Sequence, residues 1–274
     1  MPKFSDGVPA KLSHKPTVWQ TPDGKFICLR VPQGMESPEA SDELGYLSEA
    51  DNLHTLFASA RNFCPATGRG MERESEQSFM GWSGVRKNAR YNKRHRGPGP
   101  MSDYVPHPKA HWNDSMSHKG ELSKVGRMAF AMCLPLLPPE VEERLSAMHA
   151  AIEESPARAM GGYPACQVTH NFRSSQHVDI DMAPSLMICT QLRACNSGGR
   201  FIFGPYSLAV PCNHGDVLVF EPSHLHSMEA DAAFRPAEAG SPDAAYDRVR
   251  CLASYFCSAA TMSSIGEYVE TKAK

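Results

Sequence analysis

The chain has 274 residues, including 20 glycines and 22 prolines, and a formal net charge of −2 at neutral pH. This length predicts one or two domains, and the glycine and proline content favours a loop-rich, strand-containing protein over a helical bundle. The near-neutral charge excludes a uniformly polycationic protein, and no apolar run approaches the roughly 18 residues of a membrane span.

The cysteines and the N-terminus indicate the compartment. The chain has nine cysteines, and no two of them form a CxxC pair, which argues against a disulfide scaffold and against a cysteine zinc site. Residues 1–15 contain no apolar segment of the kind found in secretory signals. We therefore expect an intracellular protein with reduced cysteines and no membrane partner.

The N-terminal part shows few periodic segments. Lys25–Val31 predicts a strand, and Ser48–Asn62 predicts a helix with Ser48 as its N-cap. Residues 77–102 carry six basic residues and no acid, and the run Gly97–Pro100 predicts a loop.

From Leu122 onward the periodicity becomes clear. Apolar residues recur at helical spacing until Pro135, and a second helix begins at Pro138 and ends before Pro156. After Gly161 the period changes to two, which predicts eight strands. These strands are Cys166–Phe172, His177–Met182, Leu186–Arg193, Arg200–Gly204, Ser207–Pro211, Asp216–Phe220, His226–Ala230 and Arg248–Cys257.

Eight short strands preceded by helices predict an α+β protein whose core is a two-sheet antiparallel jelly roll braced by N-terminal helices. We divide the chain at residue 120. Residues 1–120 are expected to form an extension that carries the basic segment and packs on the core. Residues 121–274 are expected to form one compact unit of helices and jelly roll.

Two histidines and an aspartate form a candidate metal site. In a strand, His177 and Asp179 point to the same face, because side chains alternate with a period of two. His226 follows a strand that Gly215 introduces, and it can supply a ligand from elsewhere in the sheet. Two histidines and one carboxylate form the facial triad of non-haem Fe(II) oxygenases, which leaves open positions for a chelating co-substrate and dioxygen.

Each ligand choice has an alternative. Asp181 has the strand parity of Asp179, and His224 lies two residues before His226, so either could replace its neighbour. An isolated HxD motif also occurs as ordinary surface polarity. The order and spacing of the three residues together favour the metal site.

Residues 166–257 resemble the double-stranded β-helix core of the Fe(II)/2-oxoglutarate-dependent oxygenases. The matching residues are His177 and Asp179 for the HxD motif, His226 for the distal histidine and Arg250 for the arginine that binds the co-substrate. The resemblance implies this fold, Fe(II), dioxygen, 2-oxoglutarate and a hydroxylated product, with ascorbate as a candidate accessory reductant.

A narrower resemblance concerns the substrate. The segment from Asn171 to Asp179, followed by the one from Gly198 to Val210, looks like the TET and base-J-type nucleic-acid base oxygenases, including their algal and fungal relatives. It implies oxidation of the methyl group of 5-methylcytosine or thymine in DNA. We also assign Asn171 to the 2-oxoglutarate pocket, beside Arg250.

The arginine motif departs from the family. In many members a serine follows the arginine by two residues, whereas here Leu252 holds that place and Ser254 lies four residues after Arg250. Arg248 has the same strand parity as Arg250 and could bind the carboxylate instead. An ordinary salt bridge at the edge of the barrel is the alternative role for Arg250.

The basic segment is the candidate nucleic-acid contact. Its cations are interleaved with Trp82 and Tyr91, a composition that suits phosphate contact with base stacking. The residues are Arg86, Lys87, Arg90, Lys93, Arg94 and Arg96. The alternative is a solvated basic loop, or one neutralised by the acidic stretch from Glu36 to Glu76.

Three functions follow as hypotheses. The first, which we favour, is a DNA base oxygenase with a nuclear location. The second is an oxygenase that hydroxylates a protein side chain or a small molecule at the same iron site. The third is a non-catalytic β-barrel binding module with a structural His/Asp cluster. The sequence does not fix the oligomeric state.

Overall fold

The computed structural model describes residues 8–9, 15–32, 52, 64–65, 76–84, 101–103, 112–153, 162–170, 174–191, 199–229, 250–259 and 261–262. Two α-helices lie in these ranges, α1 (Trp112–Cys133) and α2 (Pro139–Glu153). The strands are β1 (Val8–Pro9), β2 (Thr17–Gln20), β3 (Phe26–Val31), β4 (Cys64–Pro65), β5 (Glu76–Gly84), β6 (Met101–Asp103), β7 (Ala165–His170), β8 (Ser185–Gln191), β9 (Arg200–Phe203), β10 (Leu208–Pro211), β11 (Val217–Phe220), β12 (Ser227–Met228) and β13 (Arg250–Phe256).

The strands form two sheets. The large sheet has the order β2-β3-β11-β8-β13-β7-β5-β4, with β6 paired to β5, and the small sheet has the order β1-β10-β9-β12. Every pairing is antiparallel except that of β1 with β10. Mostly antiparallel sheets with few helices are what the sequence predicts for a jelly-roll core.

The large sheet buries both of its faces. Alternate residues of β8 show how: Leu186 and Ile188 belong to a helix-facing cluster, whereas Met187 and Cys189 belong to an inner cluster between the two sheets. The helix-facing cluster includes residues from both α1 and α2, such as Leu122 and Leu145. Each large apolar side chain that is fully buried contributes about 1.5–3 kcal/mol, so both layers stabilise the sheet.

The strand predictions are confirmed to within a few residues for Lys25–Val31, which forms β3, and for seven of the eight segments after Gly161. The exception is His177–Met182, which forms no strand. It makes isolated bridges at His177 and Asp181, while the Asp179 N–H donates to the carbonyl of Pro222, 3.0 Å away. The segment is irregular because its N–H groups bond to a turn and to the end of the β13 region instead of to a neighbouring strand.

One predicted helix begins at a different residue in the structure, and another cannot be compared with it. α1 starts at Trp112, ten residues before the predicted start at Leu122. Residue 120, where we divide the chain, therefore lies inside a helix, and β2, β3 and β5 share the large sheet with later strands. The predicted helix at Ser48–Asn62 lies outside the described residues, apart from Asn52. Within the described ranges, no helix combines the length and apolar character needed to cross a bilayer.

Candidate metal centre

His177 and His226 are brought together by a short antiparallel bridge. The His177 N–H donates to the His226 carbonyl at 2.8 Å, and the His226 N–H donates back to the His177 carbonyl at 2.9 Å. The Ser174 N–H extends the pairing to the carbonyl of Met228 in β12. The two imidazole centroids are consequently only 4.5 Å apart.

Asp179 completes a three-residue cluster. Its backbone is fixed by the hydrogen bond to Pro222, and its Oδ2 lies 3.8 Å from His177 Nε2 and 3.5 Å from His226 Nε2. The ligand atoms of these three residues all lie within 4.8 Å of one another. Two imidazole nitrogens and a carboxylate oxygen at this spacing could hold one divalent metal ion.

Both histidines are anchored through Nδ1. His177 Nδ1 lies 2.8 Å from the Ser175 carbonyl, and His226 Nδ1 lies 2.7 Å from the His224 carbonyl. A carbonyl oxygen only accepts, so each Nδ1 carries a proton and donates it. Each Nε2 faces the Asp179 carboxylate, where it can bind either a proton or a metal ion. Backbone acceptors of this kind orient metal-binding histidines in proteins.

The centre is buried on one side and open on the other. The His226 side chain is 3% exposed and contacts the rings of Phe201 and Phe220 at centroid distances of 5.2 and 5.3 Å. The side chains of His177 and Asp179 are 37% and 48% exposed. A ligand that approaches from solvent would therefore meet the side of the cluster opposite the inner core.

The electrostatics keep the carboxylate ionised. Partial burial acts to raise the pKa of Asp179, but the hydrogen bond with His226 and the charges of His177 and His226 outweigh it and lower that pKa. The ionised carboxylate is the form that binds a metal cation, and a bound cation would take the place of the protons with which the histidines interact with Asp179.

The structure separates His226 from its sequence alternative, His224. The Tyr206 hydroxyl donates to His224 Nδ1 at 2.9 Å, and His224 Nε2 donates to the Phe26 carbonyl at 2.9 Å. Both ring nitrogens are therefore engaged, so this imidazole has no lone pair for a metal. Its backbone carbonyl instead orients His226.

Asp181 is also outside the cluster. Its carboxylate accepts a hydrogen bond from the Ser185 hydroxyl at 3.0 Å, and it does not join the three residues whose ligand atoms converge. Burial raises the pKa of Asp181 to about 6, and the charge of Asp179 adds to the increase, although the bond from Ser185 opposes it. Of the two aspartates, Asp179 is the one beside the histidines.

Sequence reasoning missed the groups that orient these ligands. The carbonyls of Ser175 and His224 leave no signal in the sequence, because every residue has a carbonyl. Gly204 is more informative, since a Cβ there would collide with the side-chain amide of Gln176, next to His177. Gly204 follows the last residue of β9, and a glycine at such a place can signal a close approach of this kind.

The other predicted site residues are located only in part. Arg250 begins β13 opposite Gln191 of β8. The remaining candidates lie outside the described residues, so their roles stay predictions. They are Asn171, Arg248, Arg86, Lys87, Arg90, Lys93, Arg94 and Arg96.

Comparisons with known proteins bear on the fold. No protein-family model and no curated protein matches the chain. The solved structure of NgTET1 in complex with 5mC DNA matches it with a TM-score of 0.52 and 15% identity, over 95% of this chain and 85% of that one. OsALKBH1 and an oxidoreductase of the 2OG-Fe(II) oxygenase family from Burkholderia pseudomallei align less well. Their TM-scores are 0.43 and 0.41 at 10% and 14% identity, over 88% and 84% of this chain and 100% and 84% of theirs. The chain therefore shares the fold of the NgTET1 structure.

Proposed function

We propose that this chain is an Fe(II)- and 2-oxoglutarate-dependent dioxygenase. The observation that carries the proposal is the shared anchoring of His177 and His226, whose Nδ1 atoms bond to backbone carbonyls while both Nε2 atoms face the Asp179 carboxylate. His224, by contrast, uses both of its ring nitrogens within the protein. The donor set of two imidazoles and one carboxylate suits Fe(II) and leaves positions for other ligands.

The three residues of the centre have different roles. His226, packed among aromatic rings, gives a rigid inner attachment, while His177 and Asp179 border the open side. Bound Fe(II) would couple the oxidative decarboxylation of 2-oxoglutarate by dioxygen to hydroxylation of a substrate C–H bond, with succinate and carbon dioxide as the other products. The exposed side leaves room for that substrate to approach.

Arg250 is the proposed partner of the distal carboxylate of 2-oxoglutarate, with Asn171 beside it and Arg248 as the alternative. Arg250 starts β13, and Leu252, two residues later, belongs to the inner cluster. The same cluster contains Phe201 and Phe220, which contact His226. A guanidinium is suited to two parallel hydrogen bonds with a carboxylate.

For the substrate, we propose the methyl group of 5-methylcytosine or thymine in DNA, together with a nuclear location. All six cations of the basic segment lie in the connection between β5 and β6, which pair antiparallel. Gly81 of β5 lies opposite Ala165 of β7, and Ala165 lies opposite Phe256 of β13. Phe220, whose ring contacts His226, is the last residue of β11 and lies at this same end of the strands. This arrangement supports phosphate contacts near the metal centre.

Product analysis tests the proposal. The full chain is incubated with methylated duplex DNA, Fe(II), 2-oxoglutarate and ascorbate, and the nucleosides and succinate are measured by mass spectrometry. We expect oxidised 5-methylpyrimidine and succinate in matching amounts, and neither product from the Asp179→Ala variant. Succinate formation without any oxidised base would retain the oxygenase and reject the DNA substrate. The hydroxylase of a protein side chain or small molecule would then be the better hypothesis.

A matched variant tests the DNA contact separately from the chemistry. Replacing Arg90, Lys93, Arg94 and Arg96 with glutamine should flatten the dependence of DNA affinity on salt by several log–log units, since each phosphate contact contributes about 0.9. Iron binding and 2-oxoglutarate turnover without DNA should be unchanged. A variant that binds DNA like the parent at every salt concentration would make the segment an ordinary solvated loop.

A further inference from the structure

One buried hydroxyl in the β core lacks a hydrogen-bond partner. Thr169 of β7 is 3% exposed, and its Oγ1 has no partner among the described residues. Buried polar groups in folded proteins are nearly always paired, and an unpaired one destabilises the fold. Such an atom is therefore a candidate contact for a ligand.

The pairing of the strands fixes which way Thr169 faces. Its neighbours in β7, Cys166 and Val168, belong to the helix-facing cluster, so Thr169 faces the inner side. Directly opposite on β13 lies Leu252, and opposite Leu252 on β8 lies Cys189, both members of the inner cluster. The Thr169 hydroxyl thus lies in the interior that also contains the aromatic contacts of His226.

The position of Thr169 opposite Leu252 indicates which ligand its hydroxyl could contact. Leu252 lies two residues after Arg250, where many 2-oxoglutarate oxygenases carry a serine. Directly opposed residues of an antiparallel pair have Cβ atoms about 4.5–5.5 Å apart. Thr169 therefore brings a hydroxyl directly opposite Leu252, the position at which the resemblance would place a serine.

We propose that the Thr169 hydroxyl donates a hydrogen bond to the distal carboxylate of 2-oxoglutarate and so replaces the serine that Leu252 displaces. This inference rests on the proposed function, because it requires that 2-oxoglutarate bind in the inner core. It also explains why a polar atom is buried there without a partner. When the co-substrate is bound, the hydroxyl acquires a charged acceptor.

Calorimetric titration of the Mn(II)-loaded full chain tests the proposal without turnover. Thr169→Val removes the hydroxyl and keeps the shape, and Thr169→Ser keeps the hydroxyl. Thr190→Val is the matched control, since Thr190 is equally buried on β8 but lies opposite Cys251, on the helix-facing side. The probes are 2-oxoglutarate and 2-oxobutyrate, which has the same metal-chelating end but no distal carboxylate.

We expect Thr169→Val to weaken 2-oxoglutarate binding about tenfold, the effect of one hydrogen bond to a charged group. Binding of 2-oxobutyrate should be unchanged. Thr169→Ser should bind 2-oxoglutarate like the parent, and Thr190→Val should too. The melting temperature of metal-free Thr169→Val should equal or exceed that of the parent, because the lost hydroxyl had no partner.

Equal 2-oxoglutarate affinity of Thr169→Val and the parent would overturn the assignment of Thr169 and leave the proposed function standing. So would an equal loss for both 2-oxo acids, or a Thr169→Ser variant as weak as Thr169→Val. A parent chain that binds metal but no 2-oxoglutarate would reject the proposed function itself, and this inference with it.

Discussion

The two faces of the large sheet bury different kinds of side chain, although the same strands supply both. Toward the helices, the buried side chains are mostly apolar, with Thr190 and two tyrosines as polar members, and the hydroxyls of Tyr163 and Tyr255 donate to backbone carbonyls. Toward the small sheet, the interior holds the Arg30–Asp216 ion pair, the Thr169 hydroxyl and the imidazole of His226.

The helix-facing side of the sheet therefore serves mainly for packing, whereas the inner side carries the groups that can bind and react. The helix-facing side stabilises the sheet by removing apolar area from water. The inner side accepts polar groups whose burial costs free energy unless each finds a partner. We therefore expect substitutions on the inner side to change binding and activity, and substitutions on the helix-facing side to change stability alone.

The largest effect should come from the metal centre. Asp179→Ala removes the carboxylate beside both Nε2 atoms, so iron binding and turnover should fall to background while the melting temperature changes little, because this side chain is half exposed. Iron content and succinate release measure the result. Asp181→Asn is the matched control, and it should keep its iron. If Asp179→Ala retained iron and activity and Asp181→Asn lost them, the ligand would be Asp181.

A second effect should fall on the ion pair of the inner side. The guanidinium of Arg30 donates to Asp216 Oδ2 from Nε at 2.9 Å and from Nη2 at 2.7 Å, and both side chains are nearly fully buried. Asp216→Ala should lower the free energy of unfolding by about 3–5 kcal/mol, because it leaves a buried positive charge without this carboxylate. Urea unfolding measures the change.

The paired variant sharpens that result. Replacing both residues with apolar ones, as Arg30→Met with Asp216→Leu, should recover most of the lost stability, since buried ion pairs are often replaceable by packed apolar groups. A double variant as unstable as Asp216→Ala would show that the pair contributes through its geometry. A loss below about 1 kcal/mol in Asp216→Ala would mean that this buried pair stabilises the fold no more than a solvent-exposed salt bridge does.

The smallest effect should be a pH dependence on the helix-facing side. His149 of α2 stacks on Phe130 at 3.9 Å, and burial lowers its pKa from 6.5 to about 4. The unfolded chain then binds a proton that the folded chain excludes, so this contribution to stability is complete above about pH 6.5 and is lost as the pH falls toward 4. The loss should reach at most about 3 kcal/mol.

The comparison with a variant isolates this residue from other titrating groups. His149→Leu cannot be protonated, so its free energy of unfolding should fall less than that of the parent between pH 7 and pH 4. Activity per folded molecule at pH 7 should be the same in both. Parallel stability curves for parent and variant would show that His149 is protonated equally in the folded and unfolded chains.

Much of the β core could be predicted because its pattern is local. In β11 every residue is buried, as expected for a strand with both faces covered, and Gly215 introduces it with a φ of +76°. A short apolar run bounded by turn residues was sufficient to find this strand, and the period of two found several of its neighbours. The period was misleading at His177–Met182, where alternating residues do not form a strand.

The sequence alone establishes which chemical groups are available for a site: a pair of histidines near position 225, a pair of aspartates near position 180 and a pair of arginines near position 249. It could not choose within the pairs, because residues i and i+2 have the same strand parity. The tertiary structure made the choice for the histidines and the aspartates. Tyr206 and the carbonyl of Phe26 occupy both nitrogens of His224, while the Pro222 carbonyl fixes the backbone of Asp179. These partners are distant in sequence or are backbone atoms, so only the pairing of strands in three dimensions brings them to the ligands.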